Sequence, residues 1–264
     1  MTGEPDIPNK IHQSAIVSSK AELGSNIKIG PFSIIESDTI IGDGTTVFSH
    51  SVIKSNTAIG NNCRVFQGAV LGEIPQDLKY ENEHSTLVVG NNSTIREYAT
   101  LNRGTKECGE TTIGNNVLLM AYVHIGHDCD VKDNSILANG VQLGGHVTVG
   151  NNATIGGMTP IHQFCKVGDY AFIGGGFRAV QDVPPFIIAA GEPLKFNGIN
   201  SIGLRRKGFI SEVRKQIKVA YNLIYRSELN ITQAIEKIKN ELPNIQEIQN
   251  ILQFVEESDR GLIS

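Results

Sequence analysis

Four of the seven histidines, His124, His127, His146 and His162, fall in one stretch of the 264-residue sequence, and their spacings share a common step. His127, Gly145 and Gln163 follow one another at intervals of eighteen; His146 is eighteen past Asp128, and His162 eighteen past Gly144. A chain that coils once every eighteen residues sets these side chains in adjacent columns over three coils. His124, three residues before His127, shares the corner. Two chemistries suit such a group. In one, a neutral imidazole titrating near ~6.5 is a general base and a glycine amide holds an oxyanion. In the other, three histidines bind a zinc ion that keeps one position open. Taken singly, each histidine reads as a solvated turn residue. Grouped with Asp128 and the Gly144-Gly145 pair, they mark a site.

The coil that would gather them is written in the sequence as a repeat of six. Counting in sixes from Ile11 to Leu71, all eleven positions are Ile, Val or Leu. The register breaks at 73–86, resumes with Val89, Ile95 and Leu101, breaks again at 103–110, and then runs from Ile113 to Ile173 through eleven more aliphatic positions. A period of six is neither the 3.6 of a helix nor the 2 of a long strand. It suits a parallel β-helix with one hexad per face, an inward aliphatic residue, and Gly or Asn at tight turns. Three faces make a coil of eighteen, and about eight coils at ~4.8 Å per strand stack to roughly 40 Å. The two breaks then read as loops expelled from the stack. The first, Glu73 to Tyr80, carries charge and an aromatic ring and is the natural place for binding; the second, Arg103 to Glu110, says little alone.

The cysteines fit this frame. Cys63, Cys108, Cys129 and Cys165 form no CxxC pair, so they read as reduced structural thiols. Cys63, Cys129 and Cys165 occupy an inward small-residue slot, which makes them poor nucleophiles. Beyond Ala179 the repeat fades, and from about 204 apolar residues recur at helical spacing: Phe209, Val213, Ile217, Ala220, Tyr221 and Ile224. Two further helices are expected, one capped by Thr232 and one starting at Pro243. The chain thus divides into a β-helix over 1–191 and a small α-helical domain over 192–264.

Net charge is −4, which makes a general nucleic-acid surface improbable. No apolar run approaches the ~20 residues that cross a bilayer, and the opening Met1 to Asp6 lacks the features of a signal peptide; a cytosolic protein is expected. Arg205-Arg206-Lys207, with Arg214, Lys215 and Lys218, forms a basic patch fit for a phosphate or an acidic partner.

Several strings taken together resemble one family. They are Gln76-Asp77-Leu78-Lys79-Tyr80, His124-Ile125-Gly126-His127-Asp128-Cys129, Ile155-Gly156-Gly157-Met158, His162-Gln163-Phe164-Cys165, Gln181-Asp182-Val183-Pro184-Pro185 and Ile224-Tyr225-Arg226-Ser227. The family is the bacterial acyl-ACP–UDP-N-acetylglucosamine O-acyltransferases, which open lipid A synthesis, and the resemblance covers nearly the whole chain. It implies a left-handed coil and transfer of an (R)-3-hydroxyacyl group from acyl carrier protein to the 3-position of UDP-N-acetylglucosamine, with no cofactor or metal. It places the general base on His127, its partner on Asp128 and the oxyanion amide on Gly145. Sugar and phosphate contacts carry over to Asp77, Lys79, His124, His146, His162 and Gln163, and uridine and phosphate contacts to Asn200 and Arg206. Gly175 matches a position that limits acyl length when bulky, so a long chain, around C14, is expected. The resemblance further implies a homotrimer with sites between subunits, and an acidic carrier protein as partner of the basic patch.

Two positions depart from the family pattern. Ile202 stands where a Glu is frequent, and Asn102 where a His is frequent. Both bear on nucleotide-sugar recognition, and a 3-amino sugar acceptor, giving an amide, stays open. The sister N-acyltransferase carries a uridine-binding domain before its repeats, for which hexads starting at Ile11 leave no room. The other readings are a trimeric zinc hydro-lyase of γ-carbonic anhydrase type and a catalytically inert acyl-carrier-binding scaffold.

Overall fold

The computed structural model describes residues 9–264. The segment read for a signal peptide lies outside the described residues. Each hexad becomes one short strand. Lys10–Ile11 opens a first sheet, Ile16–Val17 a second and Glu22–Leu23 a third, and Lys28–Ile29 returns to pair in parallel with Lys10–Ile11. The register, Lys10 on Lys28 and Ile11 on Ile29, is the expected step of eighteen. The sheets contain 11, 8 and 8 strands. This is the expected left-handed parallel β-helix, followed by α-helices.

Two-residue strands leave one side chain outward and one inward. From Ile29 to Ile173 the inward aliphatic residues are no more than 3% exposed, and they form one continuous core. The first coil differs: Ile11 is 44% exposed, because its strand has a neighbour on one side only. Cys63, Cys129 and Cys165 are buried in the inward slot, and burial pushes the Cys129 thiol up to about 12 and that of Cys165 up to about 11.

The three edges of the prism have different chemistry. Between the third and first sheets, Asn62, Asn92, Asn116, Asn134 and Asn152 hold left-handed backbone at φ of 55–59°, a conformation asparagine tolerates. Beside them runs a side-chain ladder: Asn61, Asn91, Asn115 and Asp133 each accept the amide of a residue one coil earlier at 2.7–2.8 Å. Between the first and second sheets, Phe32, Tyr98, Tyr122 and Met158 stand out with 60, 55, 62 and 72% exposure. The third edge, between the second and third sheets, takes both expelled loops. Arg64 pairs with Thr94 and Thr94 with Leu118, steps of thirty and twenty-four that insert twelve and six residues. The chain leaves the coil between Glu73 and Thr86 and again between Asn102 and Glu110.

Past the last hexad the sequence pattern missed two strands. Ile187–Ala190 extends the first sheet, and Lys195–Ile199 closes it antiparallel. Four helices follow: α1 (Ser201–Arg206), α2 (Ser211–Tyr225), α3 (Ile231–Glu241) and α4 (Gln246–Glu256). Two of the expected starts are corrected. Asn230, not Thr232, caps α3, because its side chain accepts the Gln233 amide while the Gln233 side chain accepts the Asn230 amide. Pro243 does not begin α4, which starts at Gln246 after Ile245. Helices α2 and α3 pack into the core through Ile217, Ala220 and Tyr221 of α2 and Ala234 and Ile238 of α3.

Asp182 ties the C-terminal tail to the prism. It is fully buried; its Oδ1 accepts the Lys166 amide at 2.7 Å and its Oδ2 the Ser258 hydroxyl at 2.7 Å. Its backbone pairs with Gly261 and Ile263. Asp182→Ala leaves these donors without their acceptor, and a loss of about 1–3 kcal/mol is expected in denaturant unfolding, with amide exchange rising first in the 258–263 tail.

Candidate active site

His127 and Asp128 sit on the edge from which both loops are expelled, one coil beyond the second loop. Neighbouring residues on a strand point to opposite faces. Here Asp128 is left-handed (φ 59°), and its carboxylate meets the ring of the residue before it, with His127 Nδ1 2.7 Å from Asp128 Oδ2. The Asp128 side chain is wholly buried. Its Oδ1 also accepts the Thr105 amide at 2.8 Å, and its Oδ2 the Thr105 hydroxyl at 2.8 Å. Burial alone would raise this carboxyl, but the hydrogen bonds from His127 and Thr105 outweigh it and hold it below the usual carboxylate range. The same hydrogen bond raises the His127 pKa against the opposing effect of burial, and the charges of Asp128, Asp77 and Glu107 add to the rise.

The column arithmetic is realised in space. A Cβ on Gly145 would lie 2.5 Å from His127 Cε1, so glycine is what lets the ring lie against the backbone of the next coil. His146 meets the His127 ring edge-on at 5.1 Å and stacks on Phe164 at 4.5 Å. Its Nε2 is 3.3 Å from Glu107 Oε2 and 3.5 Å from Asp128 Oδ2. His124 turns its Nδ1 to the Thr100 hydroxyl at 2.8 Å, and burial, with the nearby His127, lowers its pKa. Gln163 is exposed above Gly144, and His162 lies at the rim, its Nδ1 3.3 Å from Arg260 Nη2.

Asp77 and Lys79 join from the first loop. The Asp77 carboxylate accepts the Lys79 amide at 2.9 Å, and both residues line a cavity of about 270 Å³ with Tyr80, Thr105 and Glu107. Asn102 explains itself as an anchor: buried, it donates from Nδ2 to the Ile74 carbonyl at 2.9 Å and so holds the base of that loop. Ile202 is 59% exposed on α1.

Other expected site residues lie elsewhere in this chain. Asn200 caps α1 by accepting the Gly203 amide, and its Nδ2 donates to the Tyr170 carbonyl at the edge between the third and first sheets. Arg206 is exposed in the last turn of α1. Gly175 lies on the edge between the first and second sheets, where a Cβ would come 3.1 Å from the Gly157 carbonyl.

The three-histidine zinc arrangement does not assemble. His124 is turned to Thr100 and His162 to Arg260. Among the described residues, the group close enough to share an ion is His127, Asp128 and His146, which already contact one another through Asp128.

The sequence reading missed the second loop's contribution: Thr105, Glu107 and Cys108, the last with Sγ 3.7 Å from His146 Nδ1. Burial and the charges of Asp128 and Glu107 raise the Cys108 thiol, so it is no thiolate. A signal was present, since Glu110 stands eighteen before Asp128 and the loop must therefore re-enter the coil beneath it.

Comparisons with known proteins agree with this fold. Residues 182–263 match the family described as Udp N-acetylglucosamine O-acyltransferase, domain 2, and residues 110–145 match the bacterial transferase hexapeptide family. The acyl-[acyl-carrier-protein]–UDP-N-acetylglucosamine O-acyltransferase of Chlorobium phaeobacteroides is 61% identical over 96% of this chain and 96% of its own. That of Aquifex aeolicus is 58% identical over 96% and 97%. Among solved structures, the UDP-N-acetylglucosamine acyltransferase from Bacteroides fragilis superposes with a TM-score of 0.95 at 42% identity, covering 96% of this chain and 100% of that one. On this similarity, and on the β-helix that carries the His127–Asp128 pair, the chain belongs to the family of acyl-ACP–UDP-N-acetylglucosamine O-acyltransferases.

Proposed function

We propose that this acyltransferase moves an (R)-3-hydroxyacyl group from acyl carrier protein to the 3-position of UDP-N-acetylglucosamine, the first step of lipid A synthesis, with His127 as general base. The 2.7 Å contact between His127 Nδ1 and the buried Asp128 carboxylate carries this reading. A carboxylate only accepts, so the ring proton resides on Nδ1 and the lone pair on Nε2. Nε2 takes the proton of the sugar hydroxyl, and the oxygen forms a bond to the thioester carbon. The carbonyl electrons pass to oxygen, which the Gly145 amide stabilises. When they return, the C–S bond breaks and the carrier's thiolate leaves, taking its proton from the His127 imidazolium.

The remaining residues act as binders. Asp77, Lys79, His124, His146, His162 and Gln163 contact sugar and phosphate; Asn200 and Arg206 contact the nucleotide. Asn200 and Arg206, like Gly175, lie away from the His127 edge, which a homotrimer with sites between subunits explains. The exposed apolar edge of Phe32, Tyr98, Tyr122 and Met158 supplies a surface for such contact. The basic patch at Arg205, Arg206, Lys207, Arg214, Lys215 and Lys218 faces the acidic carrier protein. A cytoplasmic setting suits four free cysteines; among the described residues no helix is long and apolar enough to cross a membrane.

Three tests follow from this reading. Purified protein is incubated with 3-hydroxyacyl-ACPs of several lengths and UDP-N-acetylglucosamine or its 3-amino analogue, and products are read by mass spectrometry. The expected product is the 3-O-acyl ester, with long donors preferred, lost on His127→Ala and shifted to shorter donors by Gly175→Met; no product from either acceptor would overturn the assignment. The second is a pH profile. The base must be neutral and its pKa is raised, so kcat/KM rises with pH through a value above ~6.5. Asp128→Asn removes the raising partner, moving that limb to lower pH while reducing the rate. Third, light scattering is expected to give the mass of three chains, and Met158→Glu together with Tyr98→Glu to reduce it.

A further inference from the structure

The second expelled loop holds the carboxylate that holds the base. Asp128 Oδ1 takes the Thr105 amide and Oδ2 the Thr105 hydroxyl, each at 2.8 Å, so one residue grips both oxygens. A carboxylate turning freely about its Cβ–Cγ bond would not keep Oδ2 aligned with His127 Nδ1; two donors on a rigid backbone fix its plane. The hydroxyl has its own constraint. Thr105 Oγ1 accepts the Glu107 amide at 3.2 Å, which directs its single proton toward Asp128 Oδ2. The loop backbone is fixed in turn: the Gly109 amide donates to the Thr105 carbonyl at 2.7 Å, and the Gly104 amide to the Thr86 carbonyl at 3.1 Å. Gly104 passes so near Glu110 that a Cβ there would sit 2.5 Å from the Glu110 nitrogen. Thr105 is itself 6% exposed, so water does not replace its hydroxyl readily.

We infer that Thr105 is a positioning residue of the transfer reaction, acting through Asp128 to orient His127 and set its basicity. The inference rests on the general-base reading of His127. Removing the Thr105 hydroxyl leaves the carboxylate with one neutral donor fewer, so its negative charge bears more strongly on His127. The other groups facing His127 are Asp77 from the first loop, Glu107 from the second, and His124 and His146 from neighbouring coils. Of these, Glu107 is tied to position 105 through its backbone amide, which Thr105→Val releases and Thr105→Ser keeps bonded.

The test compares Thr105→Val, which keeps the shape and loses the donor, with Thr105→Ser, which keeps the donor. In the acyl-ACP assay with UDP-N-acetylglucosamine, Thr105→Val is expected to lower kcat by roughly tenfold to a hundredfold, the range that outer-sphere partners carry. KM for the sugar nucleotide stays near wild type, and the acid limb of kcat/KM moves to higher pH. Thr105→Ser restores both rate and limb. A Thr105→Val rate within twofold of wild type, or a lower rate with an unmoved limb and no recovery in Thr105→Ser, overturns the inference. His127→Ala runs alongside. If it stays active, the general-base reading fails and this inference with it; if it is dead while Thr105→Val is normal, only the role of Thr105 falls. Thermal unfolding of the folded variants separates a misfolded Thr105→Val from an altered site, and Thr105→Cys, with a weaker donor, is then expected to fall between Val and Ser in the position of the limb.

Discussion

Strands mostly two or three residues long cannot stand alone, so each coil of this protein depends on backbone hydrogen bonds to its neighbouring coils. That dependence imposes a register of eighteen, and the register imposes nearly everything else. It keeps each aliphatic residue over the last one, which closes the core. It brings each turn back to the same edge, where left-handed backbone recurs at Asn, Asp and aromatic residues alike. An insertion can be accommodated only by leaving the stack and returning in phase, as the twelve- and six-residue excursions do.

The histidine cluster is confined to one edge for the same reason. Both excursions leave between the second and third sheets, and the histidines occupy the coils just beyond. A buried carboxylate there is tolerable because every close donor it needs is supplied: two from Thr105 and one from His127. The first loop is fastened to this edge by Asn102 and by Arg103, whose guanidinium reaches the Tyr80 hydroxyl at 3.0 Å. The second loop is fastened to the first through Glu83, which accepts the Lys106 amide at 3.0 Å. The two loops and the dyad therefore behave as one hydrogen-bonded unit on a rigid scaffold.

The other two edges carry different business. Asparagine ladders close one, and exposed aromatic rings crowd the other, with Tyr98 and Tyr122 stacked at 5.3 Å. The helices cover the far end of the prism, held by Asp182 and by the Tyr221 hydroxyl on the Pro185 carbonyl. Asn200 and Gly175, assigned to the same reaction by family resemblance, stand on edges remote in sequence register from His127. Their separation is a property of the triangular coil, in which outward side chains on different edges point away from one another.

Much of this was legible in the residues. A strict period of six, broken twice, specified the coil, its inward aliphatic residues, its expelled loops and the column that joins His127 to Gly145. These follow from one-dimensional order alone, because the fold repeats that order without rearrangement. Irregular structure was less readable. The antiparallel strand Lys195–Ile199 and the cap at Asn230 depend on partners that no period announces. The hold of Thr105 on Asp128 was invisible for the same reason: a loop outside the register has no column, and only the tertiary structure decides where its donors point. By itself the sequence determined the scaffold and the column of histidines, through spacing; the tertiary structure decided which groups hold the His127–Asp128 pair, through contacts between segments that spacing does not relate.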